Sequence, residues 1–505
     1  MIPKSNKRNL RRWLSLGISI AILLPLASEG WNTAWAEPAT TPEQRVLRIG
    51  TLWSGEDDTY FRQQFTDLYE LKHPEIKLEI IPAIDQNQTR FSSNPGQYPA
   101  VTPDYVESIR GLMSGNKPVD VIVGDNTLIK SLIGRNLLKP LQPLIDRDHY
   151  DISTLAPTML DGVRELGGGS LFALAPTFSS TALYYNKGIF DAAGVTYPKD
   201  GMTWDEMFAL AAKVTKVSKK KESRVYGFSM SRYYGDSFWD MQSYITPLQL
   251  TMYDNKGNAM TVNNSAWNKV WTTYSNLVKK QTIPGLDGSE FMWTEDTPYS
   301  PIQGDLFLNG KAAMVVAEYG YINELVTVRD NAAKIKNYKP VEWGVVTVPS
   351  HVEKPGVATG TWLGNMMAIS NTAVNSEDAW DLIKFVNSNE VAKIKAHNSY
   401  ELTSRKDYLV SKAPSVNLAP FYTMKPLPAS DPQMDRLIGQ KPGIVQISDA
   451  GRQLFVEVVK GRMTVSAALK AWEQKGNTML AKLRKDPAAY FNLEDGWIKK
   501  SAVKN

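Results

Sequence analysis

The chain has 505 residues, 43% hydrophobic and 22% charged, which suits two or three globular domains and excludes a disordered, collagen-like or multi-span membrane protein. Cysteine is absent, so disulfide frameworks, thiolate zinc sites, cysteine nucleophiles and thiol-linked lipids are excluded as well. The formal net charge of +5 gathers at the front: without Lys4, Lys7, Arg8, Arg11, Arg12 and Glu29 the balance is 52 basic against 51 acidic residues, too even to attract nucleic acid.

Those basic residues precede an apolar run from Trp13 to Ala27, and Ala34-Trp35-Ala36 offers a small-x-small cleavage site before Glu37. This is the pattern of a secretory signal peptide over residues 1–36. The run holds 15 residues, short of the roughly 20 that a spanning helix needs. Cleavage near Ala36 is therefore expected, leaving a secreted or extracytoplasmic protein, periplasmic or cell-surface associated, that is not a lipoprotein.

From Val46, VLRIGTLW alternates as a strand does, a helical pattern follows over 58–72, and IKLEIIPAI (76–84) makes a second strand. Residues 86–103, rich in Asn, Gln, Ser and Pro, predict a loop insertion before a helix at 104–114. VDVIVGD (119–125) is a buried strand with a helix after it to Arg135. FALAPTF and ALYYN are strand-like, Trp204 to Lys219 is amphipathic, and VYGFSM (225–230) predicts another strand. Helices are expected around 265–280 and 302–310, strands at 312–318 and 343–349, and helices from 376 onward. Thr203 with Glu206 forms a capping box before the Trp204 helix, while Gly194 and Gly310 suit chain reversals at helix ends. Strands alternating with helices imply doubly wound α/β units with mostly parallel sheets.

Several phrases, in order, resemble one family. ALYYNKGIFDAAGVTYPKDGMTWDEMFALAAKV (182–214), YDNKGNAMTVNNSAWNKVWTTYSNLVKKQTIPG (253–285), DLFLNGKAAMVVAEYGYINEL (305–325), the strand WGVVTVP and SEDAWDLIKFVNSNE (376–390) are similar to bacterial extracellular solute-binding proteins of ABC importers, of the sugar-binding type typified by maltose-binding protein. The resemblance covers nearly all of the chain after residue 36. It implies a two-lobed, type II periplasmic-binding-protein-like α/β fold, each lobe a mostly parallel sheet flanked by helices, with a first lobe of 44–176 plus 312–368 and a second of 177–311 plus 369–505. It also implies hinge crossings near 173–181, 311–316 and 366–371, a monomer, a small carbohydrate ligand and an ABC permease as partner. Where the family carries an acidic residue in the hinge strand, this chain has Phe178, Ser179 and Ser180, so the resemblance does not choose the sugar class.

Independently of the family, ligands of open α/β sheets sit beyond the carboxyl ends of the strands. That rule selects Trp53, Ser54 and Asp57 after the first strand, Asp125 and Asn126 after VDVIV, and Glu318 and Tyr319 after AAMVVA. Trp239, Asp240 and Trp362 have the same character, and Arg405 stands where family members often carry a polar site residue. Sugars present apolar C–H faces to Trp or Tyr and hydroxyl rims to Asp, Asn and Arg, so the mixture suits a glycan. The same residues also fit packing or helix-capping roles, and Trp267, Trp271 and Trp380, on helices, are expected in the core, as are Tyr184 and Tyr185 on a strand.

Enzyme signatures fail individually. The run Glu56, Asp57, Asp58 does not suit a pair of carboxylates flanking a glycosidic bond, since neighbours in sequence rarely converge across one bond. DNKGN (254–258) lacks the terminal Glu of an EF-hand loop, GGGS (167–170) lacks the Lys of a phosphate loop, and His73, His149, His351 and His397 are isolated. No cofactor and no metal ligand set is expected. The expectation is a non-catalytic sugar receptor serving an ABC importer; the alternatives are a secreted carbohydrate-active hydrolase or lyase, and a ligand-sensing partner of a membrane receptor kinase.

Overall fold

A computed structural model describes residues 44–53, 57–87, 91, 104–220, 223–233, 235–286, 300–397, 401–411 and 413–491. Ten strands are β1 (Arg45–Trp53), β2 (Ile76–Ile84), β3 (Val121–Gly124), β4 (Ala173–Leu174), β5 (Thr177–Phe178), β6 (Thr181–Asn186), β7 (Met314–Glu318), β8 (Trp343–Val346), β9 (Met366–Ile369) and β10 (Leu402–Thr403). The expected signal peptide lies outside the described residues, as does most of the expected 86–103 insertion.

The first sheet has the order β2-β1-β3-β9-β4. β1 pairs in parallel with β2 and β3, because helical crossovers at 59–72 and Tyr105–Leu112 return the chain to the same end. β9 enters from far along the chain and runs antiparallel, with Gly124 opposite Met366. That register matters for the site, since it brings the residues before β9 to the edge where β1 and β3 end. Asp120, fully buried, accepts hydrogen bonds from the amides of Val374 and Asn375 at 2.9 and 2.8 Å and so pins the turn after β9.

The second sheet, β7-β6-β8, lies between two apolar cores. Period-two alternation sends Ala182 and Tyr184 of β6, with Val315 and Ala317 of β7, into the first core, and Leu183 with Met314 into the second. The second core is completed by the helices Trp204–Val214, Ser237–Ile245, Ser265–Lys279, Gln446–Val459 and Val465–Lys485. Trp267 and Trp271 are buried there and Trp380 in the first core, each on its helix's apolar face.

Three expectations are corrected. The ladders of the second sheet are antiparallel, not mostly parallel, and its parallel contacts are the single bridges Tyr226–Ala312 and Ser229–Val315. Residues 225–230 therefore form no ladder: the Phe228 amide donates to the Thr282 carbonyl at 3.1 Å, outside the sheet, and Gly227 packs so close to helix Trp204–Val214 that a Cβ would lie 2.0 Å from the Ala211 carbonyl oxygen. Residues 302–310 are turns because buried Asp305 takes the amides of Phe307 and Leu308 on its own carboxylate, displacing the helical ladder. The helix Ser376–Val386 puts Ala379, Trp380, Leu382 and Ile383 into the first core.

Candidate ligand-binding cleft

Because β1, β2 and β3 are parallel, their carboxyl ends share one edge, and a cleft of about 720 Å³ opens there. Its walls include Trp53 at the end of β1, Asp85 after β2, Asp125 after β3, and Asp57, Tyr60, Phe61 and Phe65 from the segment that follows β1. Trp362 and Asn365, delivered by the antiparallel β9, close the far side. The structure thus brings Trp53, Asp57 and Asp125, selected at strand ends, together with Trp362. Ser54 lies outside the described residues.

The aromatic walls are open to solvent. Trp53 is 41% exposed and Trp362 47%, and Trp53 leans edge-on against Tyr105 with ring centroids 5.3 Å apart. Trp362 lies across the backbone of Gly364, where a Cβ would sit 2.3 Å from the ring atom Cζ3. Asn365 beside it holds φ 52°, a left-handed conformation that Asn tolerates better than other side chains. The polar groups are held as well: Asp125 caps helix Asn126–Gly134 by accepting the Leu128 amide at 2.9 Å, and Asp57 accepts the Thr59 amide at 3.0 Å. Asp58 is tied to Arg62 at 2.8 Å, and Arg62 also pairs with Glu70 at 2.7 Å.

Tyr60, Phe61, Phe65, Asp85 and Asn365 were not singled out in the sequence. A π-helical turn at Arg62–Thr66 shifts the register between Phe61 and Phe65, which a 3.6-residue period does not reveal. The signal that could have found them is the aromatic density of YFRQQF directly after a strand end.

The sequence over residues 54–393 matches the model of the bacterial extracellular solute-binding protein family. The chain belongs to that family. A binding protein of Brucella abortus (strain 2308) is 24% identical over 378 residues, 72% of this chain and 79% of the relative. Among solved structures, a sugar transporter of Rhizobium etli in an open conformation is 20% identical with a TM-score of 0.54, over 86% of this chain and 99% of that one. The sugar-binding protein MalE of Xanthomonas citri is 18% identical with a TM-score of 0.52, over 87% and 98%. These likenesses show a two-lobed, type II periplasmic-binding-protein-like fold. The family works outside the cytoplasm, and among the described residues no helix is long and apolar enough to cross a membrane.

The remaining described residues selected from the sequence of this solute-binding protein are not among the walls of the cleft. Asn126 donates to the Leu427 carbonyl at 3.3 Å and lines a separate small crevice. Glu318 is exposed at the end of β7, its carbonyl accepting from the Tyr184 hydroxyl at 2.9 Å. Tyr319 is 8% exposed, packed edge-on against Phe421 and donating to the Val410 carbonyl. Trp239 is exposed on helix Ser237–Ile245. Its neighbour Asp240 is largely buried, and burial pushes its carboxyl up to about 7, with the charge of nearby Asp236 adding to the shift.

Arg405 is buried and committed to the scaffold. It donates to the carbonyls of Asn387 and Asp151 at 2.9 and 2.7 Å and to the hydroxyls of Thr154 and Tyr150 at 2.5 and 2.7 Å. Its fork is filled by protein acceptors, so a ligand role is replaced by a packing one. Arg405→Ala is expected to lower unfolding free energy by about 2–4 kcal/mol, since it strands buried acceptors, while leaving ligand affinity of the folded protein unchanged. Denaturant titration paired with binding measurements checks both halves.

Proposed function

We propose that this solute-binding protein is a non-catalytic sugar receptor that takes its ligand into the cleft beyond β1, β2 and β3 and hands it to an ABC permease. The observation that carries the reading is the combination of the exposed platforms Trp53, Tyr60 and Trp362 with the fixed acceptors Asp57, Asp85 and Asp125 in one cavity. Flat apolar rings suit the C–H faces of a pyranose, and carboxylates already oriented by backbone amides suit its hydroxyls. The likeness to structures described as a sugar transporter and a sugar-binding protein supports the same class. The described lining residues include four Asp and no Lys, Arg or His, so the field in the cleft favours neutral over uronic-acid sugars.

In this reading the first lobe is built on the β2-β1-β3-β9-β4 sheet with helices 321–330 and 376–395, and the second on 183–286 and 434–491. The β7-β6-β8 sheet and the segments 175–180 and 347–362 join them, and ligand contacts on both sides shift the population toward a closed form. A thermal-unfolding screen against neutral mono- and oligosaccharides, uronates, amino acids and peptides tests the reading. A neutral glycan at about 100 times its dissociation constant adds roughly 2.7 kcal/mol and raises the midpoint by roughly 2–5 °C. Trp53→Ala is expected to remove the rise without unfolding the chain. A rise with peptides alone, or release of reducing ends from the glycan, overturns the proposal.

A further inference from the structure

A separate cavity of about 580 Å³ lies at the other end of the β7-β6-β8 sheet. β6 starts on the cleft side: the Thr181 hydroxyl donates to the Thr359 carbonyl at 2.6 Å, and Ser179 just before it is bridged to Trp362. The strand ends at Asn186, a wall of this cavity, roughly 16 Å further on at a strand's rise of about 3.3 Å per residue. Among the described residues, none lines both this cavity and the cleft. Because β6 runs antiparallel to both neighbours, its carboxyl end meets the turns that lead into them, 308–310 before β7 and 335–342 before β8. Gly310 at φ 64° and Asn337 at φ 55° reverse the chain there.

Asn186 is only 7% exposed, and half of its side chain is spoken for. Its Oδ1 accepts the Ile189 amide at 3.2 Å, while its Nδ2 has no acceptor among the described residues and is left to the cavity. A buried amide nitrogen without an acceptor is costly, so an acceptor held in the cavity would be favoured. The field there has the sign such an acceptor needs. Lys336 and Lys339 are walls, and Lys187, Lys311 and Lys334 flank them in the same turns, against the two acids Asp191 and Glu342. Asp191 already accepts from the Tyr197 hydroxyl at 2.6 Å. Lys336 and Lys339 are exposed and form no ion pair among the described residues.

We propose that this cavity is a second binding site, for a phosphate monoester on a small polar body, with the phosphate held by Asn186 Nδ2, Lys336 and Lys339. The described walls contain no Arg, whose planar fork matches the two oxygens of a carboxylate. Lysine ammonium groups act as point charges, and with an amide N–H they suit the several acceptor oxygens of a phosphate. The volume lies within the roughly 300–1,000 Å³ of small-molecule sites and exceeds what a bare phosphate fills. Ser300, Asn337 and Tyr338 give the remaining space hydroxyl and amide walls. The site uses no wall of the cleft and does not depend on the sugar reading.

The test uses the full protein in phosphate-free buffer. Calorimetry with glycerol 3-phosphate and glucose 6-phosphate probes a free ester, and co-sedimentation with phosphatidylcholine vesicles, with and without phosphatidic acid, probes a lipid head group carrying the same chemistry. Binding in either arm supports the site and tells which source supplies the phosphate. Asn186→Asp keeps an oxygen for the Ile189 amide but replaces the free donor with a negative charge, so it is expected to weaken that binding at least tenfold. The double variant Lys336→Gln with Lys339→Gln, at exposed positions, should weaken it at least fivefold, and it tests the site even if Asn186→Asp fails to fold. Binding of neither ester nor vesicle, or binding that both variants leave within twofold, overturns the proposal. So does loss in the lysine variant beside normal binding by folded Asn186→Asp, because surface charge alone then accounts for it.

Discussion

Asp240→Asn is expected to stabilise the protein at pH 8 by about 2–4 kcal/mol and to leave it nearly unchanged at pH 4. An aspartate has its ordinary pKa near 3.9 in an unfolded chain, and burial beside Asp236 raises the folded value to about 7. The folded state therefore holds its proton more tightly. Below about pH 4 both states are protonated and the contribution is fully present; as pH rises toward and past 7 it is lost, because the folded chain must either keep a neutral acid or bury a charge. A full three-unit shift corresponds to about 4 kcal/mol, which partial access to water reduces.

Asn has the shape of the neutral acid and no charge to bury, so the difference between the two proteins isolates this one group from the other carboxylates. The groups around it work the same way. Asp236 accepts the Phe238 amide at 2.9 Å and is paired with Arg452 at 2.5 Å, so Arg452 is spent on Asp236 and not on Asp240. The buried Tyr274 hydroxyl, held up by burial and further by the Asp240 charge, has no hydrogen-bond partner among the described residues. Equilibrium unfolding of both proteins from pH 4 to 8 decides it: parallel curves would show that Asp240 ionises normally.

How far the fold and the cleft could be read in the sequence depended on whether the deciding interaction was local. Thr203 accepts the Glu206 amide and Glu206 answers to the Thr203 amide, as the Thr-x-x-Glu spacing implies, and Gly194 closes its helix at φ 64°. The strands VLRIGTLW and IKLEIIPAI stand where alternation put them. Tryptophans sorted by position: those at helical apolar spacing are buried, while Trp53, Trp239 and Trp362 are exposed. What failed was decided at a distance. Nothing near Asp305 announces that Tyr321 donates to it at 3.0 Å and that Arg232 pairs with it at 3.2 Å, yet this buried constellation turns 302–310 away from a helix. Likewise Arg405 reads as a free polar residue until Asp151 and Tyr150, some 250 positions earlier, surround it. Asp431, Pro432, Gln433 and Arg436 wall a further cavity against Tyr105 and Leu128, some 300 residues earlier, so no window of sequence contains it.

Gly364→Ala is expected to lower glycan affinity about as much as Trp362→Ala, by roughly 10- to 100-fold, although Gly364 touches no ligand in the proposed cleft. Losing one aromatic platform corresponds to about 1.5–3 kcal/mol of buried apolar contact. At position 364 the effect is steric: a methyl group 2.3 Å from Trp362 Cζ3 cannot coexist with the ring, so one of them moves. Trp362 is half exposed and its ring is the free end of a side chain, so the ring yields and the backbone stays. The alanine then acts only through the tryptophan. In the Trp362→Ala background, Gly364→Ala should change affinity less than twofold, giving a coupling in the double-mutant cycle nearly as large as either single effect. Calorimetry on the four proteins measures it. Additive losses would mean that the glycine serves the backbone at φ 52° Asn365 instead, and that the ring over it is not the platform.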